Sequence, residues 1–345
     1  MKKTSSLGII AISALLLSLA LTLAFGGGLW ALDGVRGVQA LGGWLKLPMR
    51  IFTFLGDEQF YLVAIPLVYW CLHKGLGQAL GILLVLSSFT NTALKSFFKH
   101  SRPFWEDAGL QLSDAGSFST PSGHAQTSGA LFGQVAWFAA DKRRGRLWVI
   151  LLAVVIALVA LSRVYLGVHF PGDVLWGAAV GLTLLALYHG LRPRLVAWLK
   201  GLSLGVHVLL ALVTAAAMLA VTSLLLAVPF GTGQMFGELY TEAWSSALAD
   251  GATVAGLLIG LWLGLVLETR HVRFSVSGPW WQRLVRYLIG VAGLFAIWMG
   301  LRMLFPQEPL VLGLLLRVVR YGLAMTWAIV IWPWLFVRIG LGTRQ

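Results

Sequence analysis

Residues 147–173 read LWVILLAVVIALVALSRVYLGVHFPGD, an unbroken apolar run that closes on Ser162-Arg163 and is followed within ten residues by His169, Pro171 and Asp173. An α-helix needs ~20 mostly apolar residues to cross a bilayer, so the run has the length of one span. Ionisable groups cost about 2.5 kcal/mol or more inside lipid, and their grouping at a span end marks a functional site. Working outward, the same arrangement recurs twice. The run 125–140 is preceded by Pro121-Ser122-Gly123-His124, and the run 76–95 ends on Lys95, followed after six residues by Arg102-Pro103. Three polar clusters between residues 95 and 173 thus hold two histidines, one carboxylate and three cations.

The remainder of the chain has the same apolar character. Of 345 residues 58% are hydrophobic and 11% charged, and the mean hydropathy is +0.83, which excludes an ordinary soluble domain. The +13 formal charge and 16 tryptophans do not define a nucleic-acid surface, because the cations lie in short loops between apolar runs and form no continuous stripe. They read as topology signals and interface anchors. The single cysteine, Cys71, excludes an intrachain disulfide and leaves little basis for a metal–thiolate site. The N-terminal run up to about Leu32 is longer than the ~7–15 apolar residues of a secretory signal, and is expected to be a retained first span.

By the same length criterion ten spans are expected, near 7–31, 59–73, 76–95, 125–140, 147–166, 172–190, 203–228, 252–267, 285–304 and 318–337. The fold class is therefore an all-α, polytopic membrane helix bundle. The mixed stretch 34–56, with Arg36, Trp44, Lys46 and Arg50, reads as an interfacial segment or an exposed loop. Lys2-Lys3, Lys74, Lys142 to Arg146, Arg192 to Lys200, Arg270 to Arg286 and Arg338 to Arg344 fall on one side of this arrangement. Most acids fall on the other, so the basic side and both termini are expected to be cytoplasmic. The three polar clusters would then face the periplasm or cell exterior.

Residue types in the clusters point to phosphate chemistry. Lys95, Lys99 and Arg102 lie at i, i+4 and i+7, a cationic helical stripe suited to an anionic headgroup, with Lys99 read as an interfacial anchor; Pro103 then ends the helix. Pro121-Ser122-Gly123-His124 has the form of a helix start, where unpaired backbone N–H groups bind phosphate oxygens, and His124 could give a proton to a leaving alkoxide. Arg163 adds another phosphate donor. His169 and Asp173 lie four residues apart, so the carboxylate could hold one imidazole nitrogen and leave the other as nucleophile. The remaining histidines, His73, His100, His189, His207 and His271, are read as structural.

The three clusters together, K-x6-R-P, P-S-G-H and S-R-x5-H-x3-D, resemble the signature of the type 2 phosphatidic acid phosphatases, also called lipid phosphate phosphatases, with every fixed position present in order over residues 95–173. The resemblance implies a six-helix phosphatase core over about residues 1–195, acting without metal or other cofactor. By the same resemblance His169 attacks phosphorus, Asp173 supports it, His124 protonates the leaving group, and Lys95, Arg102, Ser122, Gly123 and Arg163 hold the phosphate oxygens. Soluble acid phosphatases and vanadium haloperoxidases share the signature, and hydropathy is what turns the expectation towards a lipid phosphate partner within the membrane. Undecaprenyl diphosphate, phosphatidylglycerophosphate, phosphatidic acid and sphingoid phosphates all qualify, undecaprenyl diphosphate being favoured.

Residues 196–345 are expected to add a C-terminal membrane domain of about four spans. Gly256, Gly260 and Gly264 form a small-residue stripe read as helix packing. Glu238, Tyr240 and Glu242 lie in an outer loop that either caps the site or is simply solvated. No internal repeat supports an inverted-repeat transporter. Two other function classes compete with hydrolysis: a lipid phosphotransferase sharing the first half-reaction, and a lipid transporter or flippase with a phosphatase-like headgroup site. Pure binding would need the cations but neither imidazole.

Overall fold

The computed structural model describes residues 2–345, with side chains from residue 7 onward. Among the described residues the chain is helical, with no strand beyond an isolated bridge between Phe274 and Arg344. The α-helices are α1 (Lys2–Phe25), α2 (Leu32–Gln39), α3 (Lys46–Phe54), α4 (Glu58–Leu67), α5 (Lys74–Phe98), α6 (Pro103–Glu106), α7 (Gly123–Ala139), α8 (Gly145–Tyr165), α9 (Pro171–Lys200), α10 (Leu204–Ala227), α11 (Glu238–Leu267), α12 (Trp280–Leu304), α13 (Leu310–Thr326) and α14 (Trp332–Arg338). Wider π-turns follow α4, α11 and α13, at Val68–Leu72, Glu268–Val272 and Trp327–Ile331.

Eight helical segments among the described residues are long and apolar enough to cross a bilayer, and nine if the pair Gly43–Phe54 and Glu58–Leu72, bent by 50°, counts as one. Each of the ten expected stretches is helical, but α7 has only 17 residues, about 25 Å at 1.5 Å per residue, which is short of a typical ~30 Å hydrocarbon core. The stretch 34–56 is not an open loop: it holds α2 and α3, which bury Val35, Met49 and Thr53.

The chain forms two compact units, each assembled from three segments. The first comprises residues 1–61, 86–194 and 223–247; the second comprises 62–85, 195–222 and 248–345. In the first unit α7 and α9 approach closely because α9 carries glycine at the contact. A Cβ at Gly177 would meet the Ser122 carbonyl oxygen, and one at Gly181 the Gln126 carbonyl oxygen. Small residues of this kind replace the hydrophobic drive that is missing between helices in lipid. The outward side of α8, with Leu147, Trp148, Ile150 and Val154 exposed, offers apolar surface to the bilayer, while Ser162 and Arg163 at its end are buried.

In the second unit the expected glycine stripe packs as read. Cβ atoms at Gly256 and Gly260 would meet the carbonyl oxygens of Val318 and Gly322 on α13, and one at Gly264 the Ile329 side chain. Arg286, fully buried on α12, donates to the carbonyl oxygens of Trp70, Ser275, Ser277 and Leu341 and lies over the Phe336 ring. This guanidinium ties the C-terminal segment to the helices by saturating its donors on backbone oxygens.

Candidate active site

The turn that carries His169 follows from local sequence. α8 ends in a Schellman motif: Gly167 takes φ +72°, its N–H donates to Val164 O at 3.0 Å, and the Val168 N–H donates to Arg163 O at 3.2 Å. A side chain at Gly167 would also run into the Leu110 carbonyl, so glycine is required both for conformation and for space. Pro171 then starts α9 in the position where a missing N–H costs nothing. Asp173, in the first turn, reaches back to accept the Phe170 N–H at 2.9 Å, one half of a capping box.

Asp173 is fully buried and collects donors from three segments. It accepts from Trp30 Nε1 at 3.0 Å, from the Thr120 hydroxyl at 2.5 Å and, in a short hydrogen bond, from Ser119. His169 Nδ1 lies 3.3 Å from its Oδ2. The other imidazole nitrogen, Nε2, lies 3.4 Å from Arg102 Nη1. Burial first, with the Arg102 and Lys95 cations beside it, holds the His169 imidazole well below its ordinary pKa, against the pull of Asp173. Nδ1 is directed to the carboxylate and Nε2 towards the Arg102 guanidinium.

Arg102 links two loops, donating to Ser117 O, Phe118 O and Val168 O, and Lys95 Nζ donates to Ser117 Oγ at 2.8 Å. Ser122 stands at the N-cap position of α7 without a side-chain capping bond, and its N–H donates to the Asp173 carbonyl at 2.9 Å, joining the second and third clusters through the backbone. Gly123 opens α7, where a Cβ would press on Asn91, the side chain that donates to Pro121 O and Gln126 Oε1. Arg163 Nη1 donates to Thr53 Oγ1. Two buried polar atoms, Ser122 Oγ and Arg163 Nε, have no hydrogen-bond partner among the described residues. A phosphate oxygen is the kind of acceptor these donors need.

His124 brings in a residue that sequence reading missed. Its Nε2 lies 2.7 Å from Asp57 Oδ1, on the turn after α3 and 67 residues away. Ser119, Thr120, Trp30 and Thr53 were missed as well, because nothing in a local pattern ties a lone polar residue to a partner 50 or more positions distant. Lys99 departs from the expected cationic stripe. α5 ends at Phe98, Lys99 turns into the left-handed region at φ +43°, and its fully buried ammonium donates to Ser96 O and Leu225 O, each at 2.7 Å. The segment after α10 covers this turn. Its Gly233 N–H donates to Lys99 O at 2.9 Å, and the Phe236 and Tyr240 rings sit 5.7 and 5.5 Å from Trp105 and Phe118.

Paired histidines, a buried carboxylate and converging cations at the ends of membrane helices define a membrane phosphatase. The chain belongs to the PAP2 superfamily, whose model matches residues 77–197, and residues 252–344 match the model described as PAP2 superfamily phosphatase, transmembrane extension. It is accordingly a phosphoric ester hydrolase of the membrane lipid phosphatase type. It is 31% identical over 161 residues to phosphatidylglycerophosphatase B of Bacillus subtilis (strain 168), covering 44% of this chain and 77% of that protein. To the putative undecaprenyl-diphosphatase YbjG of Escherichia coli (strain K12) it is 34% identical over 154 residues, covering 40% and 73%. With sphingosine-1-phosphate phosphatase 2 of Mus musculus it shares 29% identity over 141 residues, 40% of each protein. A crystal structure of the first transmembrane PAP2 type phosphatidylglycerolphosphate phosphatase from Bacillus subtilis aligns at TM-score 0.45 and 28% identity, over 53% of this chain and 96% of that one.

Proposed function

We propose that the protein hydrolyses a phosphate monoester or diphosphate on a lipid at the outer face of the membrane through a phosphohistidine intermediate, with residues 1–195 as the catalytic core. The observation that carries this reading is the placement of His169, tied at Nδ1 to Asp173 and with Nε2 turned to Arg102. In the first step Nε2 attacks the terminal phosphorus, its bond to the leaving oxygen breaks (the ester oxygen of a monoester or the bridging oxygen of a diphosphate), and His124 gives that oxygen a proton. Lys95, Arg102 and Arg163, with Ser122 and the N–H groups opening α7, hold the phosphoryl oxygens as charge shifts among them. Asp173 stabilises the charge that His169 acquires. Water then attacks the phosphohistidine, His124 takes the water's proton, and inorganic phosphate leaves.

Hydropathy and the helical architecture favour a lipid over a soluble phosphate ester. The names of two relatives of which the chain covers 77% and 73% favour phosphatidylglycerophosphate or undecaprenyl diphosphate within that class. The distribution of cations and acids along the sequence supports the outward orientation.

Phosphate release by purified protein in detergent, from a panel of lipid phosphates and with a chelator present, tests the proposal. Wild type is expected to release phosphate unaffected by chelation and His169→Ala to release none. Transfer of phosphate to an acceptor lipid, with none released, would replace hydrolysis by phosphotransfer. No reaction from well-folded wild type with any lipid would refute the reading.

A further inference from the structure

α13 begins a 29-residue apolar span, Leu310–Arg338, yet carries two arginines three residues apart, Arg317 and Arg320. They lie seven and ten residues beyond Leu310, about 10 and 15 Å into the helix. A guanidinium cannot shed its proton to escape the bilayer, so its surroundings have to supply compensation. Around this pair the compensation is thin. Arg317 Nε donates to Thr253 Oγ1 of α11 at 2.7 Å, while that hydroxyl donates onward to Ala249 O at 3.0 Å. Both guanidinium carbons stand over one ring, Tyr321, at 5.7 Å for Arg317 and 4.9 Å for Arg320. Neither forms a salt bridge with a carboxylate among the described residues, and the Nε of Arg320, a residue 9% exposed, is buried without a hydrogen-bond partner.

Two other buried arginines show what this means. Arg286, a structural clamp, saturates its donors on backbone carbonyls. Arg163, in the candidate active site, has a buried Nε with no partner, and Arg320 shares that feature. Two permanently charged forks beside a hydroxyl call for an acceptor that carries two negative charges and several oxygens. A phosphate monoester, at about −1.5 to −2 near pH 7, meets that requirement, and a single carboxylate would leave one fork uncompensated.

We propose that Arg317 and Arg320, with Thr253 and the face of Tyr321, form a phosphate-binding site inside the transmembrane extension, built wholly from residues of the second unit. Its ligand is a terminal phosphate group, either on a lipid headgroup or as inorganic phosphate. The site does not depend on the catalytic assignment of His169.

The full chain in detergent is titrated with a non-hydrolysable phosphonate analogue of phosphatidic acid, with phosphatidylcholine, and with inorganic phosphate. Native mass spectrometry counts retained lipids, and thermal unfolding gives Tm. Wild type is expected to retain one more molecule of the phosphonate lipid than Arg317→Met/Arg320→Met and to gain more in Tm, with phosphatidylcholine retained equally by both. A Tm gain from inorganic phosphate that is lost in the double variant assigns the ligand to the soluble anion; a gain confined to the lipid assigns it to a headgroup. Equal retention and equal Tm shifts in the two proteins overturn the site. A second measurement uses wild type alone, so poor folding of the variant cannot decide the matter. The same phosphonate lipid carrying a photoreactive group beside its headgroup is crosslinked and the adducts mapped. Adducts on α11 near Thr253 or on α13 near Tyr321, competed by excess phosphonate lipid or inorganic phosphate but not by phosphatidylcholine, support the site. Their absence overturns it.

Discussion

Asp57 reaches His124 through Nε2, the imidazole nitrogen that lies further from the main chain, and so sets the ring's orientation before any leaving group arrives. In the proposed mechanism it is a positioning residue that acts through His124. A hydrogen bond to a charged group is worth about 1.5–3 kcal/mol, and 1.4 kcal/mol is about tenfold in rate. Asp57→Asn is therefore expected to lower kcat about 10- to 100-fold on an alkyl phosphate lipid with little change in KM. On an aryl phosphate, whose leaving oxygen needs little protonation, the loss should be much smaller, and Asp57→Glu should recover part of the rate. Equal losses on both substrates would mean that Asp57 does not act through the acid. At this scale the sequence exposed the residues with chemical signatures, since histidine, arginine and aspartate at fixed spacings restrict what they can do. It concealed the residues that orient them, because Asp57, Ser119 and Thr120 acquire meaning only across contacts of 50 residues or more.

Between α7 and α9 the glycines carry as much of the site as the ionisable residues do, since Gly177 and Gly181 set how near Ser122 and Gln126 stand to α9. Gly181→Leu would drive a side chain into the Gln126 backbone, and overpacking of this kind costs about 1–3 kcal/mol. The expected result is a Tm lower by several degrees and loss of phosphate release. Gly190→Ala, with nothing within 4 Å of its new Cβ, should leave both intact. An unchanged Tm in Gly181→Leu would show that the contact yields. Apolar runs announced the helices because lipid rewards length and hydropathy alone. The amphipathic α2 and α3 were ambiguous, since their few buried residues gain meaning only from what they cover. The π-turns at Val68–Leu72 and Trp327–Ile331 left no mark in an unbroken apolar pattern.

For the molecule as a whole, charge asymmetry predicts which side of the membrane meets the substrate. The one cysteine, Cys71, is buried, which gives single-cysteine labelling a low background. Asp114→Cys, on the exposed loop beside the catalytic clusters, should react with a membrane-impermeant maleimide on intact cells. Arg143→Cys, in the exposed basic turn after α7, should react only after lysis. The reverse pattern would move the site to the cytoplasmic face.

The segment Ser223–Ala247 belongs to the first unit although it follows the signature by 50 residues, and it meets Lys99 through Leu225 and Gly233, Trp105 through Phe236 and Phe118 through Tyr240. Cutting the chain after the last signature helix would leave a buried ammonium without its Leu225 acceptor and two aromatic rings without their cover. The half that carries the signature is consequently not a transplantable module. A chimaera that grafts residues 1–195 onto another tail would have to bring this later segment with it.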